Sequence, residues 1–133
     1  MHTSCTEYHI IISNRTHYGK WRSIEKTALQ LLHYAYNLSQ QIRRYEWHAI
    51  WELFNHKSCK QLVAPVLSRW ECVGKACEHV IQNYNEWKLL VSHVIAAEKS
   101  DTTRYTIATH LYSLLHENMI ISHVHLLLAF MNS

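Results

Sequence analysis

Twelve histidines and four cysteines in a chain of 133 residues are the first side chains to test for chemistry. His123 and His125 are two apart, so on a helix they point in different directions and cannot share an ion. Cys72, Cys77 and His79 lie closer to a ligand set, but the two cysteines are five positions apart, a poor helical spacing for two ligands. No metal and no cofactor are expected. No serine or cysteine stands in a turn motif that would activate it as a nucleophile. The ten acidic residues contain no pair at a spacing that suggests acid–base work, and two glycines are too few for a phosphate loop. The expectation is that the chain is not an enzyme. The chemistry left is recognition. Trp47, Trp51, Trp70 and Trp87, with Tyr45 and Tyr84, crowd the middle third of the chain. Such residues fill cores, and they also anchor interfaces.

The elements that must hold these side chains read as helices. Apolar residues make up 48% and charged residues 17%, a balance that excludes a disordered chain. Two glycines and one proline cannot supply the turns of a strand-rich sandwich or barrel. The net charge of +3 is spread along the chain, which gives no basic patch for nucleic acid. The chain is read as a single domain, 1–133, with an N-terminal arm over 1–20 that Gly19 ends and a helical bundle over 22–131. No leader or membrane-spanning segment is expected, and the cysteines read as reduced.

A first helix is predicted near 22–44, capped by Ser23, with Ile24, Ala28, Leu31, Leu32, Ala35, Leu38 and Ile42 at helical spacing. A second near 46–55 turns Trp47, Ile50, Trp51 and Phe54 inward. Residues 58–67 contain Pro65 and read as a short irregular helix. Ser68 and Glu71 form a capping-box pattern that opens a helix to about Gln82. Gly74 and Ala76 would let another helix come close. From Trp87 to Ala97 only Lys88, Ser92 and His93 are clearly polar. This helix, 86–98, capped by Asn85, is therefore expected to be buried on all sides at the centre of the bundle. Helices near 102–117, started by Ser100-Asp101-Thr102, and 119–131 complete the chain.

Four pieces of this chain, in order, resemble the Bcl-2 family of apoptosis regulators in the divergent form carried by large DNA viruses of iridovirus or asfarvirus type. Tyr36-Asn37-Leu38-Ser39-Gln40 followed by Tyr45-Glu46-Trp47 is similar to the family's homology region 4, with two extra residues between its halves. Asn85-Glu86-Trp87-Lys88 and the apolar residues after it resemble homology region 1, Asn-Trp-Gly-Arg. Thr106-Ile107-Ala108-Thr109 through Glu117-Asn118 is similar to the following helix of a viral member. Met119-Ile120-Ile121-Ser122-His123, then Leu128-Ala129-Phe130, resembles that member's homology region 2. The chain departs from the pattern in region 1: Glu86 is inserted, the glycine is missing, and Lys88 stands where arginine would.

The resemblance implies an all-α, Bcl-2-like bundle with a surface groove. It implies an anti-apoptotic protein that sequesters the homology-3 (BH3) helix of a Bim-, Bak- or Bax-type partner in the host-cell cytoplasm or at the mitochondrial surface. The groove would be lined by Phe54, Leu62, Val66, Trp70, Val73, Trp87 and Leu90, with Asn85 and Lys88 meeting the ligand's aspartate. The alternative reading is an all-helical, self-associating adaptor without a groove.

Overall fold

The computed structural model describes residues 15–55, 62, 64–66 and 69–132, with side chains for all of these except 15–21, 54, 55 and 132. Six helices and no strands occur among them: α1 (Arg15–Gln41), α2 (Arg44–Asn55), α3 (Trp70–Gln82), α4 (Tyr84–Ala97), α5 (Thr103–Leu115) and α6 (Ile120–Asn132). The all-helical expectation holds. The capping serine expected at 68, the segment Tyr8–Ile12 and most of 58–67 lie outside the described residues. Leu62 and residues 64–66 are not helical.

Helix α1 starts earlier than its sequence pattern suggests. Gly19 lies within it and does not end it, and Ser23 is an interior residue whose carbonyl accepts a bond from Thr27 Oγ1 at 2.9 Å. A lone glycine costs a helix only about 1 kcal/mol, which the rest of a 27-residue helix absorbs. Its buried stripe is Ala28, Leu31, Leu32, Ala35 and Leu38, with Ile42 just beyond the helix. Ser39 is buried in the same stripe and is satisfied, since its Oγ donates to the Tyr36 carbonyl at 2.7 Å. This face meets α5, α6 and, less extensively, α3.

The expectation of a fully enclosed 86–98 helix is overturned. Helix α4 buries only Trp87, Leu90, Val91 and Val94, one stripe at i, i+3, i+4 and i+7. Leu89 is 51% exposed, and Ser92, His93, Ala96 and Ala97 also face solvent. The apolar residues off the stripe are Leu89, the half-buried Ile95 and two alanines, Ala96 and Ala97, which need no burial. Helix α5 packs between α1 and α4 through Ala108, Leu111 and Leu115.

Asn85 does not cap α4. The helix begins one residue before it, and the boundary residue Asn83 turns its Nδ2 back to the His79 carbonyl at 2.9 Å, closing the end of α3 instead. With a single residue between α3 and α4, the two helices share this junction. Thr102 does cap α5, its Oγ1 accepting from the Tyr105 amide at 3.1 Å. At the α5–α6 turn Met119 takes φ 65°, and the helices on either side meet at 87°. Among the described residues no single helix is long and apolar enough to cross a membrane.

The expected close approach at Gly74 is present. A Cβ built there would lie 3.8 Å from Met131 Cβ and 3.9 Å from Leu128 Cδ1, ordinary van der Waals distances. Helix α3 thus packs closely on α6 with room for one methyl group. Gly74→Ala is expected to raise stability by about 0.5–1 kcal/mol through helix propensity, read from the urea midpoint.

Burial on α1 also sets a pH dependence. Partial burial pushes the Glu25 carboxyl above the usual carboxylate range. The folded state therefore holds this proton more tightly than the unfolded chain does. Glu25 contributes most to stability at low pH, and the contribution is lost as pH rises through its folded-state value. Glu25→Gln is expected to melt higher than the parent at pH 7, with the difference vanishing below about pH 4. Thermal melts across that range measure it.

Candidate helix-binding site

Three tryptophans of the middle third, Trp47, Trp51 and Trp87, come together in one cluster, while Tyr45 is exposed. Helix α2 has Trp47 and Trp51 four residues apart, one turn along its inner face. Helix α4 supplies Trp87 and α3 supplies His79. Trp47 and Trp51 stand 5.4 Å apart between ring centres, Trp47 and Trp87 5.7 Å, and Trp51 and Trp87 5.9 Å. All three indoles are fully buried. Their planes are tilted or near perpendicular, the edge-to-face geometry that the ring quadrupole favours.

His79 closes the cluster. It sits edge-on to Trp51 at 6.2 Å and to Trp87 at 5.9 Å. Trp87 Nε1–H donates to His79 Nδ1 at 3.2 Å. That bond assigns the imidazole proton to Nε2, because an Nδ1 that accepts cannot also carry a hydrogen. Trp51 Nε1 is buried with no partner among the described residues.

The residues named for ligand binding divide into two groups. Leu62, Val73, Trp87 and Leu90 are part of the hydrophobic core. Val66 is 42% exposed, Asn85 is exposed, and Trp70 and Lys88 are half-buried. The side chain of Phe54 lies outside the described residues. The aromatics thus fill the space between α2, α3 and α4. What remains accessible runs along the start of α4 and the approach to α3.

Two further residues face outward on the paired helices α2 and α4: Leu53, 67% exposed, and Leu89. A strict reading of helical period would have found both. Leu53 is two residues from Trp51, and Leu89 is two from Trp87, so each lies off the buried stripe of its helix.

The polar end of this surface is built on the first turns of α4. Lys88 Nζ lies over the Tyr84 ring, 4.5 Å from its centre, at the i, i+4 spacing that brings helical side chains together. The Tyr84 hydroxyl donates to the Leu115 carbonyl at the end of α5. At the opposite end of α4, Arg104 joins four segments. Its Nη2 donates to the Gln41 carbonyl at 2.6 Å, and its Nη1 lies 3.0 Å from Glu46 Oε1 and 3.8 Å from Glu98 Oε2. Glu46 Oε1 is buried but receives no well-aligned hydrogen bond, so charge more than direction holds it there.

The cysteines offer no reactive centre among the described residues. Burial, with the Glu78 carboxylate beside it, pushes the Cys77 thiol up to about 12. It is a small core residue that stays protonated, and His79 is turned to the tryptophans. No group of three or more histidine, cysteine or acidic side chains among the described residues is arranged to hold a metal ion.

Compared with known proteins, the chain matches no family model, no curated protein and no solved structure.

Trp87 touches both of α2's tryptophans and His79, so removing it opens the cluster on three sides. Trp87→Ala is expected to cost about 3–5 kcal/mol, the range for deleting a large buried aromatic. Urea unfolding followed by far-UV circular dichroism measures the loss.

Proposed function

We propose that this chain is an anti-apoptotic protein of Bcl-2 type. In this reading it holds the homology-3 helix of a Bim-, Bak- or Bax-type partner and so blocks host-cell death. The observation that carries the reading is the start of α4. The stretch Asn85-Glu86-Trp87-Lys88, which resembles the family's region 1, presents an exposed Asn85, an accessible ammonium on Lys88 and an exposed Leu89 side by side. The aspartate of a ligand helix would meet Lys88. The ligand's apolar positions at i, i+3/i+4 and i+7 would rest on Val66, Trp70, Leu53 and Leu89. Reaching Val73, Trp87, Leu90 and Leu62 requires the helices around them to part, because those four side chains are enclosed by the core.

The ammonium keeps the charge of the arginine that the resemblance expects, without its planar two-pronged donor geometry. Lysine therefore discriminates among ligands by charge more than by hydrogen-bond angle.

Calorimetric titration with Bim-, Bak- and Bax-type homology-3 peptides tests the reading. Binding of at least one peptide is expected, with Lys88→Glu weakening it about tenfold or more, in line with ~1.5–3 kcal/mol for a charged hydrogen bond. No binding by any peptide at tens of micromolar overturns it.

The self-associating adaptor is favoured by a different observation. Tyr45, Leu53, Leu89, Met119 and Leu126 are large apolar side chains left at least 40% exposed. In that reading the protein sediments as an oligomer and Lys88→Glu leaves partner binding unchanged.

A further inference from the structure

Lys88 does not project freely from α4. A lysine carries four rotatable bonds, and ordering its ammonium against a ligand normally costs rotamer entropy. Here the Tyr84 ring, one turn earlier, already lies beneath the ammonium at 4.5 Å. The ring is not a loose surface group. Tyr84 is half-buried against the core, and its hydroxyl is tied to the Leu115 carbonyl, 31 residues away on α5. The ring is thus anchored at its far end by a neighbouring helix while its face carries the charge. An ammonium resting on a ring face spends one side on the ring and keeps hydrogens for a carboxylate. Among the described residues no acidic side chain forms an ion pair with Lys88, whereas Arg104 has two acidic neighbours.

We propose that Tyr84 is a positioning residue for ligand recognition: it pre-orients the Lys88 ammonium toward the acidic residue of a docked helix, and so sets how strongly the protein distinguishes ligands that carry that acid from ligands that do not. This inference rests on the helix-binding reading and assigns within it a residue that the sequence resemblance does not mark. The Leu115 carbonyl tie makes α5, which packs along α4, a support for the recognition end of α4. Tyr84 acts through Lys88 and need not touch the ligand.

The test is a comparison of two peptides on several variants. One peptide is a Bim-type homology-3 helix, and the other has its aspartate replaced by alanine. In the parent protein the alanine peptide is expected to bind roughly five- to tenfold more weakly, the scale of a partly screened charged contact. In Tyr84→Leu that penalty is expected to shrink to about twofold while affinity for the alanine peptide holds, since a cation–π contact at an exposed site is worth about this much. Tyr84→Phe keeps the ring and is expected to retain most of the penalty. Lys88→Met abolishes it.

Tetrafluorinated phenylalanine at position 84 lacks the hydroxyl just as Tyr84→Phe does and nearly matches its ring in size, so these two variants differ chiefly in the charge on the ring face. Weakening the ring's negative face is expected to reduce the penalty below that of Tyr84→Phe. A purely structural role for Tyr84 would weaken both peptides alike, or neither, and would leave the penalty unchanged across the series. That outcome overturns the inference while the helix-binding reading stands. Where the Bim-type helix does not bind, the same pair is built on the Bak- or Bax-type helix that does; failure of all three helices to bind the parent protein overturns the reading and the inference together.

Discussion

The interlock of Trp47, Trp51 and Trp87 is the contact on which the arrangement around the candidate site depends. Helix α2 packs chiefly on α4. Its outward residues Tyr45, Ala49, Glu52 and Leu53 are exposed, and the apolar side chains described on its inner face are two indoles and the half-buried Ile50. Each fully buried tryptophan removes on the order of 150–250 Å² from water, which is why two suffice for a twelve-residue helix. Edge-to-face packing adds direction to that burial. Once Trp87 presents its ring to α2 and its N–H to His79, the rotation of α4 about its axis is set, and so is the face that carries Leu89 and Lys88 to the surface.

Arg104 supplies the second tie, and it does so at the opposite chemical extreme. Its planar guanidinium can serve several acceptors at once, and it uses that capacity on the end of α1, the first turn of α2 and the residue after α4. The short connection from α1 to α2 is thereby pinned on α5. The two ties are unequal in kind: the indole cluster is dry and insensitive to salt, whereas the charged junction is partly exposed and screened. Helix α2, with one main packing partner and these two ties, is the described element with the least to lose in a local opening. In the proposed reading, an opening there is what a ligand helix would need, since α2 covers Trp87 from one side.

Much of the secondary structure was legible in the chain. The periodic runs Ala28–Ile42, Trp47–Trp51, Val73–Val80 and Ile107–Leu115 became helices with those faces buried, and Thr102 capped where a threonine before such a run should. The errors fell where composition stood in for geometry. Gly19 looked like a stop, but one glycine does not end a helix whose later turns are well packed. Asn85 looked like a cap, but the chain turned two residues sooner and used Asn83. Trp87–Ala97 looked enclosed because few of its residues are charged. Alanines and a single exposed leucine account for that impression, and the buried stripe is narrow.

The candidate site was legible only in part, for a related reason. Sequence alone placed tryptophans, Asn85 and Lys88 within a short stretch and determined that helices carry them with helical spacing. Local pattern sufficed there, since side chains three and four apart must share a face. It did not separate Val73, Trp87 and Leu90 from Val66 and Trp70, because whether an apolar residue lines a surface or fills a core depends on which helix covers it. Nor did it give Tyr84 a part. The ring under Lys88 is a local contact that spacing permits, but the hydroxyl bond to Leu115 spans 31 residues and exists only because α5 ends beside the start of α4. Tertiary packing decided that, as it decided which face of α4 is covered.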